Sequence, residues 1–139
     1  NVIRQALAGE DITVFGDGAQ TRSFCYVADL VDGLIRLMEF DGPQPGPVNL
    51  GNPVEKTVLE LVDLVLAITG SESRVCFRPL PTDDPRRRRP DVAKAERLLG
   101  WTPVTRLVEG LRATVAWFES TARPERPAVA EPHSNARVA

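Results

Sequence analysis

A run of four arginines, Arg86–Arg89, is the most chemically distinctive feature of the sequence, and Asp83, Asp84 and Asp91 flank it. A guanidinium stays charged near neutral pH and forms paired hydrogen bonds with phosphates and carboxylates. Runs of charge are usually solvated faces, and this is the ordinary interpretation of the four arginines. Nucleic acid is not expected as a partner, because the neighbouring carboxylates and the formal net charge of -2 weaken the positive field.

Residues for acid–base, metal or dinucleotide chemistry are scarce. The only histidine, His133, lies in a stretch rich in proline and polar residues, so neither histidine catalysis nor a metal site is expected. The only tyrosine, Tyr26, has Leu30 rather than lysine four residues later, and no Gly-x-Gly-x-x-Gly turn follows a predicted strand. The sequence therefore predicts a chain that binds a ligand but neither completes catalysis nor holds a dinucleotide by itself.

The composition indicates one soluble globular domain, because 42% of the residues are hydrophobic and 26% are charged. Residues 1–121 are expected to form this domain, and residues 122–139 a flexible tail. No apolar segment approaches the roughly 18 residues that span a bilayer, so no membrane partner is expected. Cys25 and Cys76 are interpreted as buried thiols, which favours a cytoplasmic protein.

Strand and helix signals alternate along the chain. Turn residues and apolar periodicity predict strands at 11–15, 22–27, 48–50 and 74–78, with the first two paired to each other. They predict helices over 2–7, from an Asp29 N-cap to Met38, from a Thr57 capping box to Ile68, from Asp91 to Leu99, and from a Thr105 cap to Phe118. Gly9, Gly70 and Gly100 are the expected C-terminal stops of the first, third and fourth helices, and Trp101 is expected to pack against the fold. The polar loop 79–90 is the expected place for function. The predicted fold class is α/β, a small mixed sheet with packed helices.

Four segments resemble, in order and spacing, the C-terminal portion of the extended short-chain dehydrogenase/reductase family that acts on nucleotide sugars, and in particular its UDP-glucuronate decarboxylases. They are Gly9 to Asp29, Val48-Asn-Leu-Gly-Asn-Pro53, Asp83-Asp-Pro-Arg-Arg-Arg-Arg-Pro-Asp91 and Leu98-Leu-Gly-Trp-x-Pro103. The resemblance implies a substrate-binding portion from which the Rossmann cofactor domain is largely absent. It also implies NAD as the cofactor, bound by the missing N-terminal domain.

The resemblance assigns roles to residues near the glycine-rich turn. Thr13 and Val14 would offer backbone groups to the uracil edge of UDP, and Phe15 would stack on the face of the ring. From the sequence alone, a core aromatic is the alternative interpretation of Phe15. Gln20 would line the same cleft. Arg22 would bind the diphosphate, and a surface ion pair is the alternative.

The arginine run takes its roles from the same resemblance. Arg88, two residues before a proline, would face the substrate and supply positioning and electrostatic stabilisation rather than a proton. The other arginines of the run remain alternatives for this position. Asp83 would reach the ribose, with Asp84 an equal candidate. Asp29 and Asn52 are interpreted as structural, a helix cap and a turn residue.

The implied function is UDP-sugar binding within an NAD-dependent UDP-glucuronate decarboxylase that makes UDP-xylose, commonly a homodimer in this family. The chain alone is expected to be inactive. Two alternatives remain: part of a sugar-nucleotide 4-epimerase or 4,6-dehydratase, and a non-catalytic interaction module. The arginine loop favours the decarboxylase over the other enzymes, and UDP binding would separate all of the enzymes from the interaction module.

Overall fold

The structure, a computed structural model, describes residues 1–43, 46–81, 85 and 87–121. The predicted tail at 122–139 lies outside the described residues, as do Asp83, Asp84 and Arg86. The described elements confirm the predicted α/β class. They are α1 (Val2–Ala8), β1 (Ile12–Phe15), β2 (Thr21–Ser23), α2 (Val27–Met38), β3 (Glu55–Thr57), α3 (Val58–Thr69), β4 (Val75–Arg78), β5 (Arg87–Arg88), α4 (Ala93–Leu99) and α5 (Leu107–Thr121).

The first sheet contains β1 and β4, which run parallel with Ile12 opposite Val75 and Phe15 opposite Arg78. Helix α3 packs on β1 and lies between α1 and α5. Apolar side chains from these elements form the core cluster, which contains Ala6, Ile12, Val14, Val62, Val65 and Leu111. This half of the molecule is therefore organised around buried aliphatic side chains.

The second sheet has the order β3-β2-β5, so the predicted pairing of the first two strands is wrong. Strand β2 is antiparallel to β3 and parallel to β5. The turn after β1 explains the separation, because the Gly18 carbonyl accepts the Leu59 N–H and the Gln20 carbonyl accepts the Val58 N–H. The chain between β1 and β2 is thus bonded to the start of α3 and leads away from β1.

Residues 48–50 form no strand in the described part of the chain, contrary to the prediction. Side chains connect this segment to the region of α4 instead: the Asn49 amide donates to the Asp91 carbonyl at 3.2 Å, and Lys94 Nζ donates to the Pro47 carbonyl at 2.9 Å. The predicted strand at 22–27 is shorter than expected because α2 already begins at Val27.

Several predicted helix ends are confirmed. The Thr57 side chain accepts the Glu60 N–H while the Glu60 carboxylate accepts the Thr57 N–H, which completes the capping box of α3. Gly9, Gly70 and Gly100 terminate α1, α3 and α4 in the left-handed conformation that glycine adopts without steric cost. Local signals in the sequence were sufficient for these boundaries.

Asp29 is not the N-cap of α2, because the helix begins after Tyr26, and Asp29 lies in its first turn with 7% exposure. Its carboxylate accepts the Thr105 N–H at 2.9 Å and the Thr105 hydroxyl at 2.8 Å. The predicted Thr105 cap of the last helix is therefore also wrong, since that hydroxyl donates across the fold to Asp29. Trp101 is buried as predicted, and its indole N–H donates to the Asp29 carbonyl.

Candidate functional site

The backbone of β1 is largely occupied by bonds within the fold. Ile12 N–H donates to the Arg74 carbonyl and Gly16 N–H to the Arg78 carbonyl, both at 2.8 Å. Alternate residues of a parallel strand face the same neighbour, so the backbone groups of the buried Val14 also face β4. Thr13 faces the other way, where its N–H donates to Gln5 Oε1 at 3.3 Å.

Phe15 ends β1 with 47% of its surface exposed, so within this chain it is not a core aromatic. The Gln20 amide donates to the Phe15 carbonyl at 2.7 Å, which brings these two predicted site residues together. Next to them lies a cleft of about 430 Å³, lined by Gly16, Asp17, Ala19, Gln20 and Leu80. An exposed ring beside a cleft whose lining is mostly apolar is an arrangement that can accept a planar base.

Three basic residues stand in register across the second sheet. Arg22 of β2 is opposite Lys56 of β3 and opposite Arg88 of β5. Residues in register on neighbouring strands project from the same face, and the strands lie about 4.8 Å apart. Lys56, Arg22 and Arg88 therefore form one line of positive charge, which we call the cationic row.

Two members of the cationic row have described contacts. Lys56 Nζ lies 2.7 Å from Glu60 Oε1, and Arg22 Nη1 donates to the Thr21 carbonyl at 2.7 Å. The hydrogen bond from Lys56 lowers the pKa of Glu60, and the hydrogen bond from the backbone N–H of Thr57 lowers it further. The Arg88 side chain is exposed, and its guanidinium has no hydrogen bond or ion pair with any other described residue. It is therefore the member whose guanidinium is available to an anionic ligand.

Lys56 is a candidate site residue that the sequence patterns do not single out. The strong helix-start signal of Thr57 and Glu60 dominates the Glu55-Lys56-Thr57 segment. An acidic, a basic and a hydroxyl side chain do follow one another in this segment. This pattern fits a short strand whose two faces differ in chemistry.

The opposite face of this sheet contains an ion pair that joins all three strands. Arg87 of β5 donates to both oxygens of Glu55 on β3, at 2.8 Å from Nε and 2.5 Å from Nη2. The hydroxyl of Thr21 on β2 donates to the same carboxylate at 2.8 Å. The hydrogen bonds from Arg87 and Thr21 lower the pKa of Glu55, because they stabilise its ionised form.

The described residues do not fit a dinucleotide. Strand β1 leads through a Gly-Asp-Gly turn into β2 rather than into a helix, so the turn cannot place phosphate at a helix N-terminus. The N-terminus of α3 is occupied by its own capping box, and α2 follows Cys25 and Tyr26 without a glycine turn. The described residues also contain no group of three or more potential metal ligands, and none of their helices is long and apolar enough to cross a membrane.

Comparisons with known proteins place these features among nucleotide-sugar enzymes. Residues 1–51 match the NAD dependent epimerase/dehydratase family. Over 118 residues, or 85% of its length, the chain is 52% identical to UDP-glucuronic acid decarboxylase 1 of Danio rerio and covers 28% of that protein. It is 51% identical over 118 residues to UDP-glucuronic acid decarboxylase 4 of Arabidopsis thaliana and covers 26% of it.

Solved structures agree with the sequence comparison. UDP-glucose 4-epimerase from Thermotoga maritima, crystallised with UDP-glucose, matches 88% of this chain with a TM-score of 0.81 and 34% identity, and 39% of its own chain is covered. UDP-glucuronic acid 4-epimerase from Bacillus cereus, in complex with UDP-glucuronic acid and NAD, matches 86% of this chain with a TM-score of 0.81 and 28% identity, and 38% of its own chain is covered.

Proposed function

We propose that this chain, whose residues 1–51 match the NAD dependent epimerase/dehydratase family, is the UDP-sugar-binding part of a UDP-glucuronate decarboxylase that makes UDP-xylose. The chain spans about a quarter of the length of the decarboxylases it matches, so the activity is proposed for a longer protein. NAD is assigned to residues outside this chain, because the described strand-to-helix junctions do not fit it.

The observation on which the proposal rests is the adjacency of Arg22 and Arg88 in the cationic row. UDP-glucuronate has negative charge at two places, the diphosphate and the carboxylate of the sugar. Two arginines about 4.8 Å apart at the backbone, each with a long and flexible side chain, can contact both places at once. Arg22 is assigned to the diphosphate and Arg88 to the sugar carboxylate.

The chemistry of decarboxylation gives Arg88 a further use. In the longer protein, bound NAD would oxidise the C4 hydroxyl of the sugar to a carbonyl. When the carboxylate then leaves as carbon dioxide, its electron pair stays on the sugar, where that carbonyl takes up the charge as an enolate. A guanidinium beside the sugar stabilises that charge in the transition state, without itself transferring a proton. Arg88 is therefore assigned electrostatic stabilisation and positioning.

The uridine end of the ligand is assigned to the cleft beside Phe15. Gln20 connects this cleft to β2, since it bonds to the Phe15 carbonyl and directly precedes Thr21. Stacking on Phe15 is expected to contribute about 1–3 kcal/mol. The backbone of Thr13 and Val14 contributes to the base only where ligand binding displaces Gln5 from the Thr13 N–H, because Val14 faces β4.

A 4-epimerase is the second candidate, because the solved structures include an enzyme of that class with UDP-glucuronic acid bound. Such an enzyme would use the same arginines to hold the same anion without releasing carbon dioxide. The identity of about 50% to several decarboxylases, against 28% to that epimerase, favours decarboxylation.

The test is titration calorimetry of UDP, UDP-xylose and UDP-glucuronate on the full-length protein, combined with steady-state kinetics. Arg22→Ala is expected to weaken all three ligands by about 1.5–3 kcal/mol, because the diphosphate is common to them. Arg88→Ala is expected to leave UDP unchanged, to weaken UDP-glucuronate selectively and to lower kcat. Arg88→Lys should recover only part of the loss, since a point charge does not reproduce a planar fork.

Arg112→Ala is the matched control, because Arg112 is an exposed arginine on α5, outside the second sheet. It should change neither affinity nor rate. If Arg88→Ala weakens UDP as much as Arg22→Ala does and leaves turnover intact, Arg88 is a phosphate or ribose ligand and its assignment to the sugar is wrong. A wild-type protein that binds none of the three ligands would instead support the interaction module.

A further inference from the structure

Strand β5 has little backbone structure of its own to fix its position. It consists of two exposed residues, Arg87 and Arg88, between Pro85 and Pro90. Proline provides no N–H for a sheet, so Pro85 and Pro90 limit how far β5 can extend in either direction. The pairing of β5 with β2 therefore needs additional stabilisation.

Glu55 of β3, on the far side of β2, supplies this stabilisation. Its carboxylate accepts hydrogen bonds from Arg87 of β5 on both oxygens, and it accepts one from the Thr21 hydroxyl of β2. Only 19% of the Glu55 side chain is exposed, compared with 64% for Arg87, so the carboxylate has the more fixed position of the two.

We propose that Glu55 is a positioning residue that holds β5 on β2 through Arg87 and thereby keeps Arg88 beside Arg22. Side chains alternate between the two faces of a strand, so Arg88 projects from the other face when Arg87 is bound to Glu55. The inference rests on the proposed function in one respect, because Arg88 is assigned to the sugar carboxylate. The attachment of β5 to the sheet is a property of the fold and does not depend on that assignment.

The test compares Glu55→Gln with wild type in the full-length protein, with UDP and UDP-glucuronate titrated separately. Glutamine keeps the size of the side chain but removes the charge that holds the Arg87 fork. UDP affinity is expected to change less than about twofold, whereas UDP-glucuronate affinity should fall roughly tenfold, the usual scale of one lost charge-assisted contact. Asp32→Asn removes an exposed carboxylate on α2 and should change neither ligand.

A double variant separates positioning from general damage. If Glu55 acts through Arg88, then Glu55→Gln combined with Arg88→Ala should bind UDP-glucuronate no more weakly than Arg88→Ala alone. Additive losses, an equal loss of UDP, or unchanged UDP-glucuronate affinity in Glu55→Gln would each overturn the proposal.

Failure of the proposed function would look different. In that case the wild-type protein would not prefer UDP-glucuronate over UDP at all, and the pairing of β5 with β2 is then observed directly by NMR. Amide contacts between Thr21 and Arg87 and between Arg22 and Arg88 are expected in wild type and should be lost in Glu55→Gln. Unchanged contacts in the variant would overturn the positioning role, whatever the protein binds.

Discussion

The two sheets of this molecule are stabilised in different ways. In the β1–β4 sheet, Ile12 and Val14 are almost completely buried against α3, where Val62 and Val65 are equally inaccessible. In the β3–β2–β5 sheet no residue is fully buried, and basic, acidic and hydroxyl side chains alternate across it. Apolar burial holds the first sheet, and a small set of polar contacts holds the second.

The difference places the candidate site where a charged ligand can reach it. Burying three cations in the first sheet would cost several kcal/mol each, because an unpaired charge is poorly tolerated in an apolar core. The second sheet keeps the cationic row solvated and uses the opposite face for the Glu55–Arg87 pair. The geometry of the second sheet therefore depends on charged contacts, whereas that of the first sheet depends on the packing of apolar side chains.

The largest expected effect comes from a cavity in the first sheet. Ile12→Ala removes part of a side chain with no exposed surface and is expected to lower the free energy of unfolding by about 2–5 kcal/mol. Urea denaturation monitored by tryptophan fluorescence measures this change. Val54→Ala, at a position 61% exposed, is the control and should stay within about 0.5 kcal/mol of wild type.

Equal losses from Ile12→Ala and Val54→Ala would contradict the comparison of the two sheets. In that case the stability would not reside in the aliphatic cluster around β1 and α3.

Asp29 gives a further test of the comparison between apolar burial and polar contacts. It is a polar residue that is as buried as the side chains of the core. Asp29→Asn keeps the shape but replaces one acceptor with a donor facing the Thr105 N–H or hydroxyl. The free energy of unfolding should fall by about 1.5–3 kcal/mol, the range for hydrogen bonds to a charged group. Thermal or urea unfolding of Asp29→Asn next to the exposed Asp32→Asn measures the effect of burial.

A loss of similar size in Asp32→Asn would mean that removal of a negative charge, rather than loss of the buried contact, explains the result. Asp32 pairs with Arg36 on the surface of α2, and such pairs contribute about 0–1 kcal/mol.

The sequence predicted the helix ends and the strands of the first sheet better than the pairing of strands, and it did not predict β3 or β5. The capping box at Thr57 and the glycine stops at Gly70 and Gly100 are local signals, and each is confirmed. The partner of Asp29 lies 76 residues away at Thr105, and β1 pairs with β4 across more than 60 residues. No local sequence pattern specifies these long-range partners, which are determined by tertiary packing.

The same distinction applies to the candidate site. The resemblance selected Arg22 and Arg88, and the structure adds that they are register neighbours with Lys56 beside them. Lys56 and Glu55 were missed because a three-residue strand directly before a helix cap gives almost no periodic signal. Their roles became visible only when β3 and β5 were found on the two sides of β2.

The smallest expected effect is the response of the second sheet to acid. The pKa of Glu55 lies below its ordinary value of 4.5, chiefly because Arg87 donates to its ionised form. A carboxyl whose pKa is lowered by folding stabilises the fold above its unfolded pKa, and that contribution is lost as the pH falls through the folded value. The Glu55–Arg87 pair should therefore stabilise the protein at neutral pH and stop doing so as the pH falls through the lowered pKa of Glu55.

The measurement is urea unfolding of wild type and Glu55→Gln between pH 7 and pH 3. The stability difference between the two proteins should be small, constant above pH 4.5, and should disappear as the pH falls further. Glu60, whose pKa is also lowered, remains in both proteins, so its own acid response cancels in the difference. A difference that persists unchanged at pH 3 would show that Glu55 stabilises the sheet by packing rather than by charge, and the contrast between the two sheets would then be weaker than their composition indicates.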